Sequence, residues 1–149
     1  MEYYIDNRQT KYKVTKELES LIEKVILESL KVEGLEGNFE VSISLVENEE
    51  IRELNRDYRN VDSITDVLSF PIEDEFDFAN RMLGDIIISI ERAEEQAVEF
   101  GHTLEREIAY LTCHSMFHLM GYDHMEDDEK SQMRVKEKQV MKNLKIFKE

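Results

Sequence analysis

The chain has little cysteine and little proline: among its 149 residues, Cys113 and Pro71 are the only ones of these types. A single cysteine excludes an internal disulfide framework and a zinc site built from several cysteines, and it suits a reducing cytoplasm. There is also no Ser/Gly/Pro-rich tract and no internal repeat, which argues against a disordered or fibrous chain. We therefore expect one soluble domain over residues 1–149, large enough to bury a single core.

Long apolar runs are absent as well. The first thirty residues carry charges throughout and lack the apolar core of a signal peptide, so the sequence predicts a cytoplasmic protein rather than a secreted one. The longest stretch without a formal charge, Ile108 to Tyr122, is shorter than a membrane span and contains two histidines. A buried helix fits this stretch better, and we expect no membrane partner.

Negative charge dominates the composition. The 34 Asp and Glu residues outnumber the 19 Lys and Arg residues, which gives a net charge of -15. This charge argues against a broad surface that grips phosphate backbones, and we expect no DNA partner. The segment from Met133 to the end differs, because it holds six Lys or Arg residues against Glu137 and Glu149. A local basic surface is therefore compatible with the sequence.

Hydrophobic periodicity predicts about four strands flanked by helices. This is an α+β or α/β arrangement, and the pattern alone does not give the strand order. Residues 73–82 form a polar connection, which by composition is the most mobile part of the chain. The predicted strands are 2–6, 39–46, 65–72 and 83–90, and the predicted helices are 14–34, 48–59, 91–101, 103–121 and one from about Asp127, with Thr103 as an N-cap.

The stretch HSMFHLMGYDH carries three of the four histidines. On a helix, His114 and His118 lie one turn apart on the same face and can direct ring nitrogens at one ion. Gly121 can adopt the left-handed conformation that ends a helix, so that His124 closes over the same ion. Three neutral imidazoles suit one Zn²⁺ per chain, although nickel or another divalent ion fits a similar nitrogen site.

The predicted site offers no fourth protein ligand. Cys113 points roughly a quarter-turn away from His114 on an ideal helix. Since structural zinc sites usually have four protein ligands, an open position that holds water indicates a catalytic site. The competing interpretation, three packed core histidines, explains neither their spacing nor the glycine. His102 lacks this spacing and is expected to be a surface or cap residue.

The residue after the first histidine separates two kinds of enzyme. In zinc proteases with the pattern H-E-x-x-H, a glutamate at this position is the general base. Here the position is occupied by Ser115, which is a poor base. The sequence therefore disfavours peptide hydrolysis by that route.

The histidine stretch resembles the signature H-G-x-L-H-L-x-G-Y-D-H of the YbeY family of bacterial endoribonucleases that mature ribosomal RNA. The likeness continues in several further blocks, and together these are more specific than the histidines alone. Ser115 departs from the usual glycine of the family, and Ile64 departs from a common proline. The similar blocks are LNRDYR at 54–59, TDVLSFP at 65–71, LGDIIIS at 83–89 and EREIAYLTCHSMFHLMGYDH at 105–124.

The resemblance implies a compact α+β fold with a small mixed sheet and a zinc helix like that of metalloproteases. It implies that His114, His118 and His124 hold the metal. It also implies cleavage of single-stranded ribosomal RNA, with roles in 3′-end maturation of the small-subunit RNA and in ribosome quality control. The expected partners are therefore ribosomal RNA and the ribosome or small-subunit assembly factors.

The resemblance also gives Arg59 a functional role. A guanidinium fork matches phosphate oxygens and would stabilise negative charge that builds up during cleavage. Arg52, Arg56 and Arg59 would share one helical face. The residues alone favour an exposed stripe paired with Glu53 and Asp57, and the resemblance reverses this preference for Arg59 only.

Glu107 is a second candidate for the reaction. It precedes His114 by seven residues and therefore lies on nearly the same helical stripe, two turns away. It could orient a ligand histidine or a water, or it could simply stabilise the start of the helix. Asp123 leaves a similar choice between supporting the adjacent His124 and forming the turn.

Two other functions compete with the nuclease. One is a zinc hydrolase of peptides or small amides, which the histidine helix suggests and Ser115 disfavours. The other is a ribosome-associated binding module in which the metal only stabilises the fold. Because the net charge is -15, we also expect a ribosomal or assembly-factor partner to bring the RNA to the protein.

Overall fold

The order of helices and strands follows the pattern that periodicity predicts. A computed structural model describes residues 1–72, 81–122 and 127–146, without the side chain of Arg81. Each predicted element is confirmed, with ends that differ by two residues or fewer. The predicted polar connection lies outside the described residues except for 81 and 82, which belong to a strand. The elements are β1 Glu2–Asn7, α1 Lys16–Glu33, β2 Phe39–Val46, α2 Asn48–Arg59, β3 Val67–Pro71, β4 Arg81–Ser89, α3 Ile90–Phe100, α4 Leu104–Leu119 and α5 Asp127–Asn143.

The four strands of the described chain form one mixed sheet in the order β1-β2-β4-β3. β1 pairs in parallel with β2, and β2 pairs in parallel with β4, so that Ile5, Ile43 and Ile86 lie side by side. β3 runs antiparallel to β4. This arrangement confirms the α+β class.

Side-chain hydrogen bonds begin the helices where the sequence indicates. The Thr15 hydroxyl accepts from Leu18 N at the start of α1, and Ser89 does the same for Arg92 N at the start of α3. Thr103 caps α4, as predicted, by accepting from Arg106 N at 3.2 Å. Helix α4 ends at Leu119, and Gly121 follows in the left-handed conformation with φ 103°. The predicted glycine stop is therefore confirmed, two residues after the last helical residue.

The two faces of the sheet are covered by different helices. Ile43, Ile86 and Ile88 point to one face, where they are buried against α1, α3 and α4. Because side chains alternate along a strand, Ile87 points to the opposite face. There it packs with Leu68 and with Ile51 of α2. Helix α2 therefore lies across the sheet from α4.

Helix α5 covers the outer side of α4. A second apolar cluster joins Val25 of α1 and Phe117 of α4 to Met133 and Val140 of α5. In the described ranges, no helix combines the length and the apolar character that a membrane crossing requires.

Gly84 brings β4 very close to the neighbouring elements. Its φ of 142° is one that residues with side chains rarely adopt. A Cβ atom at this position would lie 2.2 Å from the Phe70 carbonyl oxygen and 3.0 Å from Cδ2 of Leu119. The contact sets how closely the end of α4 approaches β3 and β4.

Gly84→Ala should lower the free energy of unfolding by roughly 2–4 kcal/mol, since the change adds backbone strain to a steric clash. Urea denaturation followed by circular dichroism measures this change. Gly34→Ala is the matched control, because Gly34 has φ 78° but nothing within 4 Å of an added Cβ. The control should cost about 1 kcal/mol. Equal losses in the two variants would contradict the close contact.

Candidate metal centre

His114 and His118 face each other on α4. Their Nε2 atoms lie 3.1 Å apart, and their rings stand nearly perpendicular with centroids 4.6 Å apart. Both residues are partly buried. The helical spacing thus brings two ring nitrogens to one point, as the sequence predicts.

The Nδ1 atom of each histidine lies beside a hydrogen-bond acceptor. Nδ1 of His118 lies 2.9 Å from the Tyr122 carbonyl oxygen, and Nδ1 of His114 lies 3.3 Å from Oε2 of Glu137. A carbonyl or an ionised carboxylate can only accept, so each Nδ1 carries the hydrogen. When both rings are neutral with the hydrogen on Nδ1, both Nε2 atoms present lone pairs toward the same point. This donor arrangement fits a divalent metal ion, and ligand histidines commonly have such partners.

The predicted third ligand, His124, lies outside the described residues, as does Asp123. Within the ranges that are described, no group of three His, Cys, Asp or Glu residues could hold a metal ion. The structure therefore brings two of the three predicted ligands together. The complete set of three ligands remains a prediction.

Glu137 of α5 is a site residue that sequence reasoning missed. It is only 5% exposed, and its carboxylate accepts from His114. Met133, Glu137 and Val140 are buried together on α5, at the spacing of one helical face. A glutamate on the apolar stripe of a helix is the signal that could have revealed it, because a buried carboxylate requires a partner.

Glu107 lies in a different cluster. It is also 5% exposed, but its carboxylate accepts from Nε2 of His102, whose Nδ1 accepts from Arg106 at 3.1 Å. Gln96 donates to the same carboxylate at 3.5 Å. Glu107 therefore orients a histidine, but this histidine is His102 and not one of the predicted ligands. The side chain of His102 is 12% exposed and packs against the first turn of α4, so it is a residue of the helix start rather than of the open surface.

Arg59 is the last residue of α2, and its side chain is exposed. Of the predicted arginine stripe, Arg52 pairs with Asp62 at 2.8 Å and Arg56 pairs with Asp57 at 3.2 Å. The expected pairing with Asp57 is confirmed, whereas Asp62 takes the place expected for Glu53, because the chain folds back after α2. Arg59 has no hydrogen bond or ion pair within the described ranges.

The ends of α2 and α4 reach the same end of β3 from opposite sides of the sheet. The Tyr58 ring, next to Arg59, packs edge-on against Phe70 with centroids 5.5 Å apart. Leu119, next to His118, lies against the Gly84 contact with Phe70. No direct contact joins Arg59 to His114 or His118 in the described part of the chain.

Ser115 and Cys113 are both turned into the core. Ser115 is fully buried, and its hydroxyl has no hydrogen-bond partner in the described ranges. Cys113 is also fully buried, with its sulfur 3.9 Å from the Ser29 hydroxyl of α1. Neither side chain is directed at the paired histidines, so Ser115 supplies no base there and Cys113 supplies no ligand.

Comparison with known proteins gives one consistent family. A profile described as Endoribonuclease YbeY matches residues 4–145. A protein named endoribonuclease YbeY from Clostridioides difficile is 49% identical, with 100% of both chains covered. A relative of the same name from Finegoldia magna is 50% identical over 97% of this chain and 95% of its own. A solution structure from Thermotoga maritima matches with a TM-score of 0.66 and 33% identity, over 97% of this chain and 92% of that one.

Cys113 should resist thiol reagents while the protein is folded. Burial, with the nearby Glu137 carboxylate, raises the pKa of Cys113 to about 12, so the reactive thiolate is scarce at pH values below that. We expect labelling at pH 8 to be at least about a hundredfold slower in the folded protein than in urea. The control Val135→Cys places a second thiol at a position that is 66% exposed. Equal labelling rates of the two thiols in the folded variant would contradict the burial of Cys113.

Proposed function

The chain belongs to the endoribonuclease YbeY family, and we propose on that premise that it is a metal-dependent endoribonuclease that cleaves single-stranded ribosomal RNA. The observation that supports metal dependence is the 3.1 Å approach of the two Nε2 atoms, together with an acceptor beside each Nδ1. The RNA part rests on the family and on the exposed Arg59.

The residues that would hold the ion are His114, His118 and His124. Nitrogen ligands suit Zn²⁺, with nickel as the alternative. When bound, the ion supplies Lewis acidity toward a phosphate oxygen or a water. Glu137 and the Tyr122 carbonyl hold the two described rings so that their Nε2 atoms converge. Acceptors beside Nδ1 favour the tautomer with the hydrogen on Nδ1, which leaves Nε2 able to bind the ion.

Arg59 is proposed to bind a phosphate of the RNA. Its guanidinium is exposed and, within the described ranges, free of ion pairs, unlike those of Arg52 and Arg56. Two parallel N–H donors match two phosphate oxygens, and the fixed positive charge would offset negative charge that builds up as the phosphodiester breaks. Its place near the same end of β3 as the end of α4 supports this role.

The proposed cellular task is processing of small-subunit ribosomal RNA, including its 3′ end, and quality control of ribosomes in the cytoplasm. A net charge of -15 disfavours tight binding of free RNA, since phosphate contacts dominate affinity for nucleic acids. We therefore propose that a ribosomal or assembly-factor partner presents the RNA to the protein.

Glu137→Gln should weaken Zn²⁺ binding by about tenfold or more, because the charge that supports His114 is lost. Zinc competition with a chromophoric chelator measures the affinity. Glu107→Gln is the matched variant, equally buried but paired with His102, and it should keep the affinity within about twofold of wild type. The reverse result would assign the supporting carboxylate to Glu107.

Arg59→Ala should lower the rate of single-stranded RNA cleavage by about a hundredfold, the usual scale for removing one donor to transition-state charge. Arg52→Ala is the control, since this arginine lies on the same helix but is occupied by Asp62. Gel assays with a ribosomal RNA fragment measure the rates, and circular dichroism checks the fold. Normal cleavage by Arg59→Ala together with unfolding of His118→Ala would favour a purely structural metal.

A further inference from the structure

A second open site adjoins the metal centre. A cavity of about 590 Å³ lies between α4 and α5, within the size range of small-molecule pockets. We refer to it as the α4–α5 cavity. Glu137 and Tyr110 are part of its wall, and both contact His114. Its cationic lining residues are Arg106, Arg134, Lys138 and Lys142.

These four cations lie close together in a chain with a net charge of -15. Within the described ranges none of the four forms an ion pair, and Arg106 donates a hydrogen bond to His102. The Nε atom of Arg106 is buried and lacks a hydrogen-bond partner in the same ranges. Glu137, the acid of the lining, is directed at His114. The lining therefore holds four cations against one carboxylate, and this local excess of positive charge favours an anionic ligand.

The rest of the cavity wall is aromatic or apolar. Tyr110 is 43% exposed, and its ring stacks on that of His114 with centroids 5.9 Å apart. Met141 and Ile146 complete this part of the lining. Cations beside an accessible aromatic ring form the usual platform for one nucleotide of a single strand, which offers both a phosphate and a flat base.

The cavity and the metal centre share one line of residues. Along α4 the side chains that escape full burial in the last three turns are Tyr110, His114 and His118, each four residues after the one before. Such residues lie roughly 6 Å apart on a helix surface. Tyr110 is therefore one helical turn from the paired histidines, so a strand bound at one place can reach the other.

We propose that the α4–α5 cavity binds a nucleotide of the RNA substrate beside the cleaved phosphodiester. The base packs on Tyr110, and the phosphates on either side lie against Arg134, Lys138 and Lys142. The inference rests on the proposed function, because it takes single-stranded RNA as the substrate. It provides the acidic protein with a local surface for its polyanionic substrate, next to the metal centre.

The main test removes charge from the cavity and, separately, from the exposed surface of α1. Binding of a fluorescent single-stranded oligoribonucleotide is measured by anisotropy at low salt, in a His118→Ala background that leaves the RNA uncut. Lys138→Ala with Lys142→Ala should weaken binding and reduce the log–log salt slope by about 1.4, since each single-strand phosphate contact contributes about 0.7. Lys24→Ala with Lys31→Ala makes the same change in net charge on exposed positions of α1 and should leave the slope unchanged.

Variants of Tyr110 test whether a base of the RNA stacks on its ring. Tyr110→Leu should weaken binding roughly tenfold, and Tyr110→Phe should retain it, because the flat ring provides the stacking surface. An abasic strand of equal length should bind the two variants with equal affinity, because it offers no base to stack. A 4-thiouridine crosslink, mapped by mass spectrometry, should fall on α4 or α5.

Several results would overturn the inference. These are equal losses in the two lysine pairs, a crosslink confined to other elements, or no measurable RNA binding. Binding of an acidic peptide in the cavity without RNA binding would assign it to a protein partner. Failure of the proposed function is seen separately, as wild-type protein with bound zinc that does not cut RNA. If wild type cuts RNA and the cavity variants bind and cut like the α1 control, only the cavity inference fails.

Discussion

Helix α4 must be buried on nearly every side, and the arrangement of the other elements follows from that need. Ile108, Leu111 and Met116 pack toward the sheet, whereas Ala109, Cys113 and Phe117 pack toward α1 and α5. A helix that is apolar on most of its surface has to lie inside the fold. What remains accessible is a narrow line, and that line holds the paired histidines. The position of the paired histidines is thus a consequence of core packing.

Local patterns predict the elements well because their causes are local. Alternation in FEVSISLV, the hydroxyl of Thr103 and the glycine at 101 each act within a few residues of the element they define. The strand order is different. β1 joins β2 across α1, and β2 joins β4 across α2 and β3, and periodicity does not encode such pairings. The predicted α+β class was confirmed, whereas its topology required the structure.

The candidate site shows the same division between features with a local cause and features that depend on distant parts of the chain. The pairing of His114 with His118 follows from helical spacing, and the family resemblance based on those residues is confirmed. Glu137 is 23 residues from His114, and only the packing of α5 on α4 brings them together. The location of Glu107 beside His102 likewise depends on how α3 and α4 meet. Sequence reasoning therefore found the two histidines that share a helix and missed the carboxylate that another helix supplies.

The parallel pairings of the sheet have a further consequence, for the order of folding. Each joins strands that are separated by at least a whole helix, and the entropy of closing such loops is lost before the strand contacts form. Proteins rich in non-local pairings fold more slowly than helical bundles. The sheet-facing side of α4 finds its apolar partners only when this sheet is in place. The paired histidines come close as soon as α4 forms, but their fixed position against Glu137 of α5 requires the completed core, so a nascent or partly folded chain would hold them less firmly.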